Sequence, residues 1–211
     1  MMKLEKERMA IVTFGKKLLS SRLTSGTGGN LSVRAPASGL IAVSPSGVPY
    51  EDMTPGDVVV VDAEGRVVEG RLKPTSELGF HLALYKKGQD VGAVVHTHSP
   101  FATAFACLGM EIPAVHYLVG FSGSTHVPVA PYALFGSIEL AEAVTHGIGN
   151  SRCVLLANHG VVAVGPSLAA AFQTAEALEY VARIYHLALT IGKPVILSDG
   201  QMAEVAEKFK S

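Results

Sequence analysis

The spacing of apolar side chains predicts helices at both ends of the chain and several between them. In the first segment, Leu4 to Leu23, apolar residues recur at roughly helical spacing among charged ones, and a glycine-rich run follows. A similar stripe, preceded by a proline and two hydroxyl residues, predicts a helix from about Thr75 to Lys87. Four more helices are expected, at Phe101 to Leu108, Ser137 to Gly147, Leu168 to Ile191 and Gln201 to Lys210.

Short runs rich in Val, Ile and Leu predict strands between these helices. Val91 to His96 has the length and branched content of a buried strand, and Arg152 to Ala157 is expected to be a second one. Asp57 to Asp62 and Arg66 to Val68 flank a three-residue turn and predict a hairpin. Further strands are expected at Asn30 to Arg34, Leu40 to Val43, Val115 to Leu118 and His126 to Ala130. The pattern therefore favours a sheet covered by helices, in an α/β or α+β fold.

Composition narrows the class of protein. The 211 residues are 48% hydrophobic and only 17% charged, and no Pro/Gly/Ser-rich linker divides them, so we expect a single domain over residues 1–211. The net charge of -1 provides neither a basic footprint for nucleic acid nor a polybasic face for a membrane surface. We therefore expect a small-molecule partner, no nucleic acid and no membrane.

One long stretch of the chain is almost free of charge. From Val91 to Ile138 the only Asp, Glu, Lys or Arg is Glu111. A membrane-spanning helix needs about 20 apolar positions in a row, but four prolines and four histidines interrupt this stretch. The first residues, Met1 to Arg8, alternate in charge and lack the apolar core of a secretory signal. A cytoplasmic location is the expectation that follows.

Some potentially reactive side chains are expected to be structural. Cys107 and Cys153 each stand alone in apolar surroundings, which predicts buried free thiols rather than a disulfide or a nucleophile. His81, His146 and His186 fall on predicted helices without partners at chelating spacing, so we expect them at the surface or at an interface.

Three other histidines form the strongest candidate site. His96 and His98 lie at the end of a predicted buried strand, where residues two apart point to the same side and can share one ion. His159 ends a second predicted strand and is followed by Gly160, a residue typical of sharp turns. Three protein ligands would leave an open position on a catalytic metal. The alternative is that these imidazoles only form hydrogen bonds in the core.

Glu77 is the next candidate. It is predicted in the first turn of a helix, where the helix dipole favours a carboxylate and the free N–H groups can bind an anion. Thr75 and Ser76 add hydroxyls, so this end of the helix could bind a phosphate group. Glu77 could also be no more than a favourable first-turn residue. The turns at Gly26 to Asn30 and Ser44 to Gly47 could supply further N–H donors, or be ordinary turns; neither is a dinucleotide fingerprint.

Several short motifs follow one another along the chain: Thr27 to Arg34, Ser44 to Gly47, Pro74 to Glu77, His96 to His98, Pro113 to Tyr117, Ala130 to Tyr132 with Phe135 and Gly136, and Leu156 to Gly160. Their order resembles that of the class II aldolases of the L-fuculose-1-phosphate aldolase type. The resemblance covers nearly the whole chain, and 5-deoxyribulose-1-phosphate aldolases would look much the same. The wider superfamily also contains sugar-phosphate epimerases, dehydratases and the adducin head domain.

The resemblance implies a fold, an assembly and a metal. The fold would be an α/β/α sandwich around a mainly antiparallel sheet, assembled as a homotetramer with active sites between subunits. Zn²⁺ would be bound by His96, His98 and His159, although three histidines and a carboxylate also suit Co²⁺ or Mn²⁺. Glu77 matches the carboxylate that approaches the metal and serves as the base.

The resemblance also implies how the substrate is bound. Tyr117 matches a tyrosine that a neighbouring subunit donates, and it would exchange a proton with the aldehyde oxygen. The family's tail tyrosine has no counterpart here, because no tyrosine follows Tyr185, which puts lid closure in doubt. The residues that match the phosphate site are Asn30, Ser46, Gly47, Thr75 and Ser76.

The implied activity is reversible cleavage of a ketose 1-phosphate to dihydroxyacetone phosphate and a short aldehyde. An epimerase, dehydratase or decarboxylase of the same fold is the alternative, and a non-enzymatic scaffold is a third. Glu77 favours the aldolase, because the epimerases have an aspartate at the matching place. The three histidines argue against a scaffold, which would be expected to lose them.

Overall fold

A mixed sheet forms the centre of the protein, whose computed structural model describes residues 2–88 and 90–209. Within these residues one sheet contains eight strands in the order β4-β3-β2-β1-β5-β10-β9-β8, and β6 pairs with β7 separately. Neighbouring strands are antiparallel except for β8 and β9. The strands are β1 (Asn30–Arg34), β2 (Ile41–Val43), β3 (Val59–Val61), β4 (Val67–Glu69), β5 (Ala93–Thr97), β6 (Ile112–Pro113), β7 (His126–Val127), β8 (Val129–Ala130), β9 (Cys153–Leu156) and β10 (Gly160–Gly165).

Helices cover both faces of this sheet, and all six predicted ones are confirmed, with shifted ends. Serines at the N-caps of three of them accept a backbone N–H of the first turn, which explains where those helices begin. The last helix ends at Lys208, and the predicted extension to Lys210 lies outside the described residues. The helices are α1 (Glu5–Ser20), α2 (Leu78–Lys87), α3 (Pro100–Cys107), α4 (Ile138–Gly147), α5 (Leu168–Ile191) and α6 (Asp199–Lys208).

Two apolar layers hold the helices to the sheet. Because successive residues of a strand point to opposite faces, Val95 and Val161 pack under α1, α3 and α5, whereas Val94 and Val162 pack under α2 and α4. Phe80 of α2 is 1% exposed in the second layer. This arrangement is the expected α/β/α sandwich around a mainly antiparallel sheet.

The strand predictions differ from the structure in four places. The short strand β6 was not predicted, and the single strand predicted from His126 to Ala130 is two strands, β7 and β8, which belong to different sheets. The predicted strand from Val115 to Leu118 is wrong, because a 3-10 helix (Tyr117–Ser122) begins there and the His116 ring nitrogen accepts the Leu118 N–H at its start. Strand β10 was not predicted at all. Its six residues are all buried. Only three residues separate it from β9, so the apolar pattern did not distinguish the two strands.

The two cysteines lie in different environments. Both are free thiols in the described part of the chain, and Cys153 is buried as expected. The prediction of a buried Cys107 is wrong. Cys107 ends the short helix α3, which turns Ala102, Phe105 and Ala106 toward the core, so that Cys107 faces away from it and is exposed.

Among the described residues, no helix combines the length and the apolar character that crossing a membrane requires. The uncharged stretch instead supplies β5, α3 and the 3-10 helix, whose apolar residues contribute to the core.

Candidate active site

Strand register places the first histidine. His96 lies on β5 opposite Asn30 of β1 and Val162 of β10, in the middle of the sheet. Its side chain is fully buried, and its Nδ1 lies 2.8 Å from the Val161 carbonyl oxygen. Since a carbonyl can only accept, Nδ1 carries the proton and the lone pair of Nε2 is free. His98, two residues on, presents its own Nε2 at 3.0 Å from that of His96.

A tight turn between β9 and β10 places the third histidine. Asn158 adopts a left-handed φ of 56°, and the His159 N–H donates to the Leu156 carbonyl at 3.0 Å. A Cβ added to Gly160 would stand 2.3 Å from the Thr97 carbonyl oxygen and 3.0 Å from the His98 ring. Glycine is therefore required at this position for the turn to approach β5 closely enough to bring His159 to His98.

Glu77 completes a four-residue cluster. Its Oε2 lies 3.2 Å from His96 Nε2, and its Oε1 lies 3.3 Å from His159 Nε2. The residue is 6% exposed, and Oε1 has no hydrogen-bond partner among the described residues. The ligand atoms of the three histidines all lie within 4.8 Å of one another.

This donor set fits a metal ion. Three imidazole nitrogens and a carboxylate oxygen are typical ligands of a divalent transition metal, and a cation would satisfy the buried Oε1 that lacks a partner. The structure thus brings together all four predicted metal-site residues. Whether they bind an ion stays a prediction.

Burial favours the neutral form of two of these imidazoles, His96 and His98. It lowers the pKa of His96 well below its ordinary value, and the neighbouring His98 and His159 lower it further. Burial also lowers the pKa of His98, with a second contribution from His159 that Glu77 opposes. A neutral imidazole is the form that binds a metal ion, so burial keeps a nitrogen lone pair of His96 and of His98 available for binding.

Helix α2 begins later than expected. Leu78 is its first residue and Glu77 is the N-cap, so the prediction of a first-turn position for Glu77 is wrong. The carboxylate does not cap the helix; it points at the histidines and accepts a hydrogen bond from Asn30 Nδ2 at 2.8 Å. The Glu77 N–H donates to Thr75 Oγ1 at 3.3 Å, which helps to hold the segment before the helix.

A cavity of about 500 Å³ opens beside the cluster. His98, His159 and Glu77 form part of its wall, and Tyr132 and Phe135, each 65% exposed, stand at its rim. A larger groove of about 860 Å³ between α1, α2 and the start of α5 contains none of these residues. The residues predicted to bind phosphate all line the smaller cavity: Asn30, Ser46, Gly47, Thr75 and Ser76.

Tyr117 lies elsewhere in the same chain. It is 49% exposed on the 3-10 helix, where it stacks on His116 and has its ring 6.4 Å from that of Phe209. It does not line the cavity of its own chain. Its donation from a neighbouring subunit therefore stays a prediction.

Sequence reasoning missed the contribution of His81. Its side chain is fully buried, with Nε2 at 2.5 Å from Asn30 Oδ1 and Nδ1 at 2.7 Å from Ser32 Oγ, so the predicted surface or interface position is wrong. His81 follows Glu77 by four residues, and on a predicted helix this spacing would have indicated that the two side chains share one face. His146 and His186 are exposed, as expected.

The fold and the site together define a class of α/β proteins with a candidate metal centre beside a polar cavity. The comparison with known families agrees with this class. The chain belongs to the family described as Class II Aldolase and Adducin N-terminal domain, whose model matches residues 9–186.

Named relatives identify the aldolase branch of this family. The chain is 48% identical to a 5-deoxy-D-ribulose 1-phosphate aldolase of Bacillus thuringiensis serovar kurstaki, over 99% of this chain and 98% of the relative. It is 42% identical to the L-fuculose phosphate aldolase of Escherichia coli strain K12, over 90% and 87% of the two chains. A solved L-fuculose 1-phosphate aldolase matches with a TM-score of 0.95 and 42% identity, over 98% and 97%. The protein is a class II aldolase, and thus a lyase.

We predict that the histidine cluster binds one divalent ion per chain. His98→Ala should lower Zn²⁺ affinity at least about tenfold, because it removes one of three converging nitrogens. Metal analysis after dialysis against buffered Zn²⁺ measures this, with His146→Ala on the exposed face of α4 as the control. Equal zinc content in His98→Ala and the wild type would contradict the assignment.

His81 should make stability depend on pH. Burial, together with His96, lowers its pKa to about 3, so below pH 6.5 the unfolded chain binds a proton that the folded chain excludes. Stability should therefore fall as the pH drops from 6.5 toward 3, by about 2 kcal/mol at pH 5 from this residue. His81→Gln should remove that part of the loss of stability, which urea unfolding of the metal-free protein measures at each pH. His146→Gln should keep the full fall, and identical losses in all three proteins would refute the assignment.

Proposed function

We propose that this protein reversibly cleaves a ketose 1-phosphate of the L-fuculose 1-phosphate type to dihydroxyacetone phosphate and a short aldehyde. The observation that carries the proposal is the convergence of three histidines and Glu77 beside a cavity whose wall also bears hydroxyls and backbone groups. Such a wall suits a phosphate, and the histidine cluster suits the oxygens of a sugar. The names of the relatives given above support the same substrate class.

His96, His98 and His159 would hold the metal, which we take to be Zn²⁺, with Co²⁺ or Mn²⁺ as ions of similar preference. When bound, it would supply a Lewis acid that stabilises negative charge on the substrate oxygens. Lys73, Lys86 and Lys87 are exposed, so the site has no buried lysine from this region to form a Schiff base.

Glu77 is the base in this proposal. Its Oε2 is held by Asn30, while Oε1 has no partner among the described residues and is free to take a proton. In condensation it removes the proton from dihydroxyacetone phosphate, and in cleavage it returns a proton to C3 after the C3–C4 bond breaks. Tyr117 of a neighbouring copy takes the proton of the C4 hydroxyl in cleavage and returns it to the aldehyde oxygen in condensation.

The phosphate group would bind in the same cavity. Ser46, Gly47, Thr75 and Ser76 lie there, next to the start of α2, whose first N–H groups favour an anion. Asn30 also lines the cavity, but its side-chain amide already bonds Glu77 and His81. Its part in phosphate binding stays a prediction.

The assembly follows from the position of Tyr117. Because this residue is half exposed and away from its own cavity, we propose a homotetramer in which it reaches the active site of a neighbour. The exposed Tyr132 and Phe135 at the cavity rim suit coverage by that neighbour. We also propose that residues 1–211 form a single class II aldolase domain, and we retain the predicted cytoplasmic location.

We expect Glu77→Gln to reduce cleavage at least about a hundredfold while zinc is retained, because it removes the base and keeps the shape of the side chain. The measurement is dihydroxyacetone phosphate release in a coupled assay, with L-fuculose 1-phosphate and 5-deoxyribulose 1-phosphate as substrates. Glu111→Gln, an exposed carboxylate, should leave the rate unchanged. Near-full turnover by Glu77→Gln would exclude it as the base, and epimerisation of a 5-phosphate without release would refute the aldolase proposal.

Mixing two inactive variants should test the shared site. Tyr117→Phe and Glu77→Gln should each be impaired alone, since each removes one proton-transfer group. After the subunits are dissociated and reassembled at equal amounts, about a quarter of the sites should combine an intact Glu77 with an intact neighbouring Tyr117. Cleavage should return to about that fraction of the wild-type rate. Absence of any recovery, with tetramers verified by ultracentrifugation, would show that both groups come from one chain.

A further inference from the structure

A row of buried polar side chains leads away from Glu77 between β1 and α2. Asn30 Nδ2 lies 2.8 Å from Glu77 Oε2, and Asn30 Oδ1 lies 2.5 Å from His81 Nε2. His81 Nδ1 lies 2.7 Å from Ser32 Oγ, which lies 2.7 Å from the Tyr85 hydroxyl. The four residues behind Glu77 are each 5% exposed or less. We call these four residues the β1–α2 row.

Two regular spacings build this row. Asn30 and Ser32 are two residues apart on β1 and therefore share one face of the sheet. Glu77, His81 and Tyr85 are four apart at the start of and along α2, so they follow one side of the helix. Residues of the strand and of the helix alternate in the row, so every hydrogen bond in it joins one element to the other.

The hydrogen bonds in the row have one consistent direction. A carboxylate only accepts, so the Asn30 amide must turn its N–H group to Glu77 and its oxygen to His81. His81 must then carry its proton on Nε2, and its Nδ1 accepts from the Ser32 hydroxyl. Tyr85 in turn donates to Ser32. Every donor points toward Glu77.

His81 holds the Asn30 amide from the side away from Glu77. If residue 81 had no donor, the amide oxygen would lose its partner, and the amide would be less firmly fixed against the carboxylate. A buried imidazole is also costly where an apolar side chain would pack, as the adjacent Phe80 does. Packing alone therefore does not account for a histidine at this position.

We propose that His81 is a positioning residue: its Nε2–H orients the Asn30 amide, which holds Glu77 Oε2 and leaves Oε1 directed at the reacting atoms. Ser32 and Tyr85 keep His81 in the required tautomer. The proposal rests on the proposed role of Glu77 as the base.

The kinetic test compares His81→Leu with His81→Gln. Leucine fills the space without a donor, whereas the glutamine amide can place an N–H group where the imidazole Nε2 lies. The reaction followed is exchange of the dihydroxyacetone phosphate proton with D2O, which needs only the base and no aldehyde. His81→Leu should lower the exchange rate at saturation at least about tenfold, with bound zinc unchanged and KM within about twofold. His81→Gln should restore most of the rate.

Two kinetic outcomes would overturn the proposal. One is an exchange rate in His81→Leu within twofold of the wild type. The other is an equal loss in the leucine and glutamine variants, which would show that residue 81 acts through packing. If His81→Leu does not fold, Tyr85→Phe replaces it, because this variant keeps the ring and removes only the last donor. It should slow exchange by about threefold with unchanged KM, and no change would count against the proposal.

A spectroscopic test does not depend on activity. Long-range proton–nitrogen correlation spectra of histidine-labelled protein should show His81 as the neutral tautomer with its proton on Nε2. In Glu77→Ala the Nε2–H signal should shift, because the Asn30 amide loses its acceptor. A proton on Nδ1, or a signal indifferent to Glu77→Ala, would refute the row. If the wild type shows this tautomer but neither exchanges the dihydroxyacetone phosphate proton nor cleaves substrate, the proposed function is wrong, whereas the hydrogen-bonded row itself is confirmed.

Discussion

The buried carboxylate of Glu77 is the constraint on which the rest of the site depends. An ionised carboxylate away from water is costly by several kcal/mol unless hydrogen bonds and opposite charge compensate it. Glu77 is 6% exposed, and among the described residues its hydrogen bond comes from Asn30, while burial lowers the pKa of the neighbouring His96 well below its ordinary value. The fold thus places a buried carboxylate next to three imidazole rings. The position of β1, the start of α2 and the turn before β10 all serve to maintain that arrangement.

Backbone geometry, more than side-chain choice, brings the parts together. The antiparallel register of β1, β5 and β10 puts Asn30 and His96 on neighbouring strands, and Gly160 allows the next turn to approach within contact of Thr97. These are long-range relations that involve residues far apart in the sequence. Any change that shifts the register by one residue would turn His96 to the other face of the sheet.

Much of the site was predictable, because its signals are local. Strand alternation predicted that His96 and His98 share a side, and a strand end followed by glycine indicated His159. What remained hidden depended on packing between elements. His81 could be placed only once α2 was known to lie over β1, and β10 merged with the preceding apolar run because its turn is so short. The predicted strand from Val115 to Leu118 failed for a local reason instead, since the Leu118 N–H donates to the His116 ring and a 3-10 helix begins there.

The ends of the sheet restrict how copies of this protein can associate. The outermost strands β4 and β8 have three and two residues, and the register of β4 shifts between Val60 and Val61 of its partner. Short, irregular edges offer few unpaired backbone groups to another chain, so they protect against aggregation by strand addition. Specific association must therefore use side chains on loops and helices. Contacts of that kind can change by single substitutions without disturbing the sheet that positions His96.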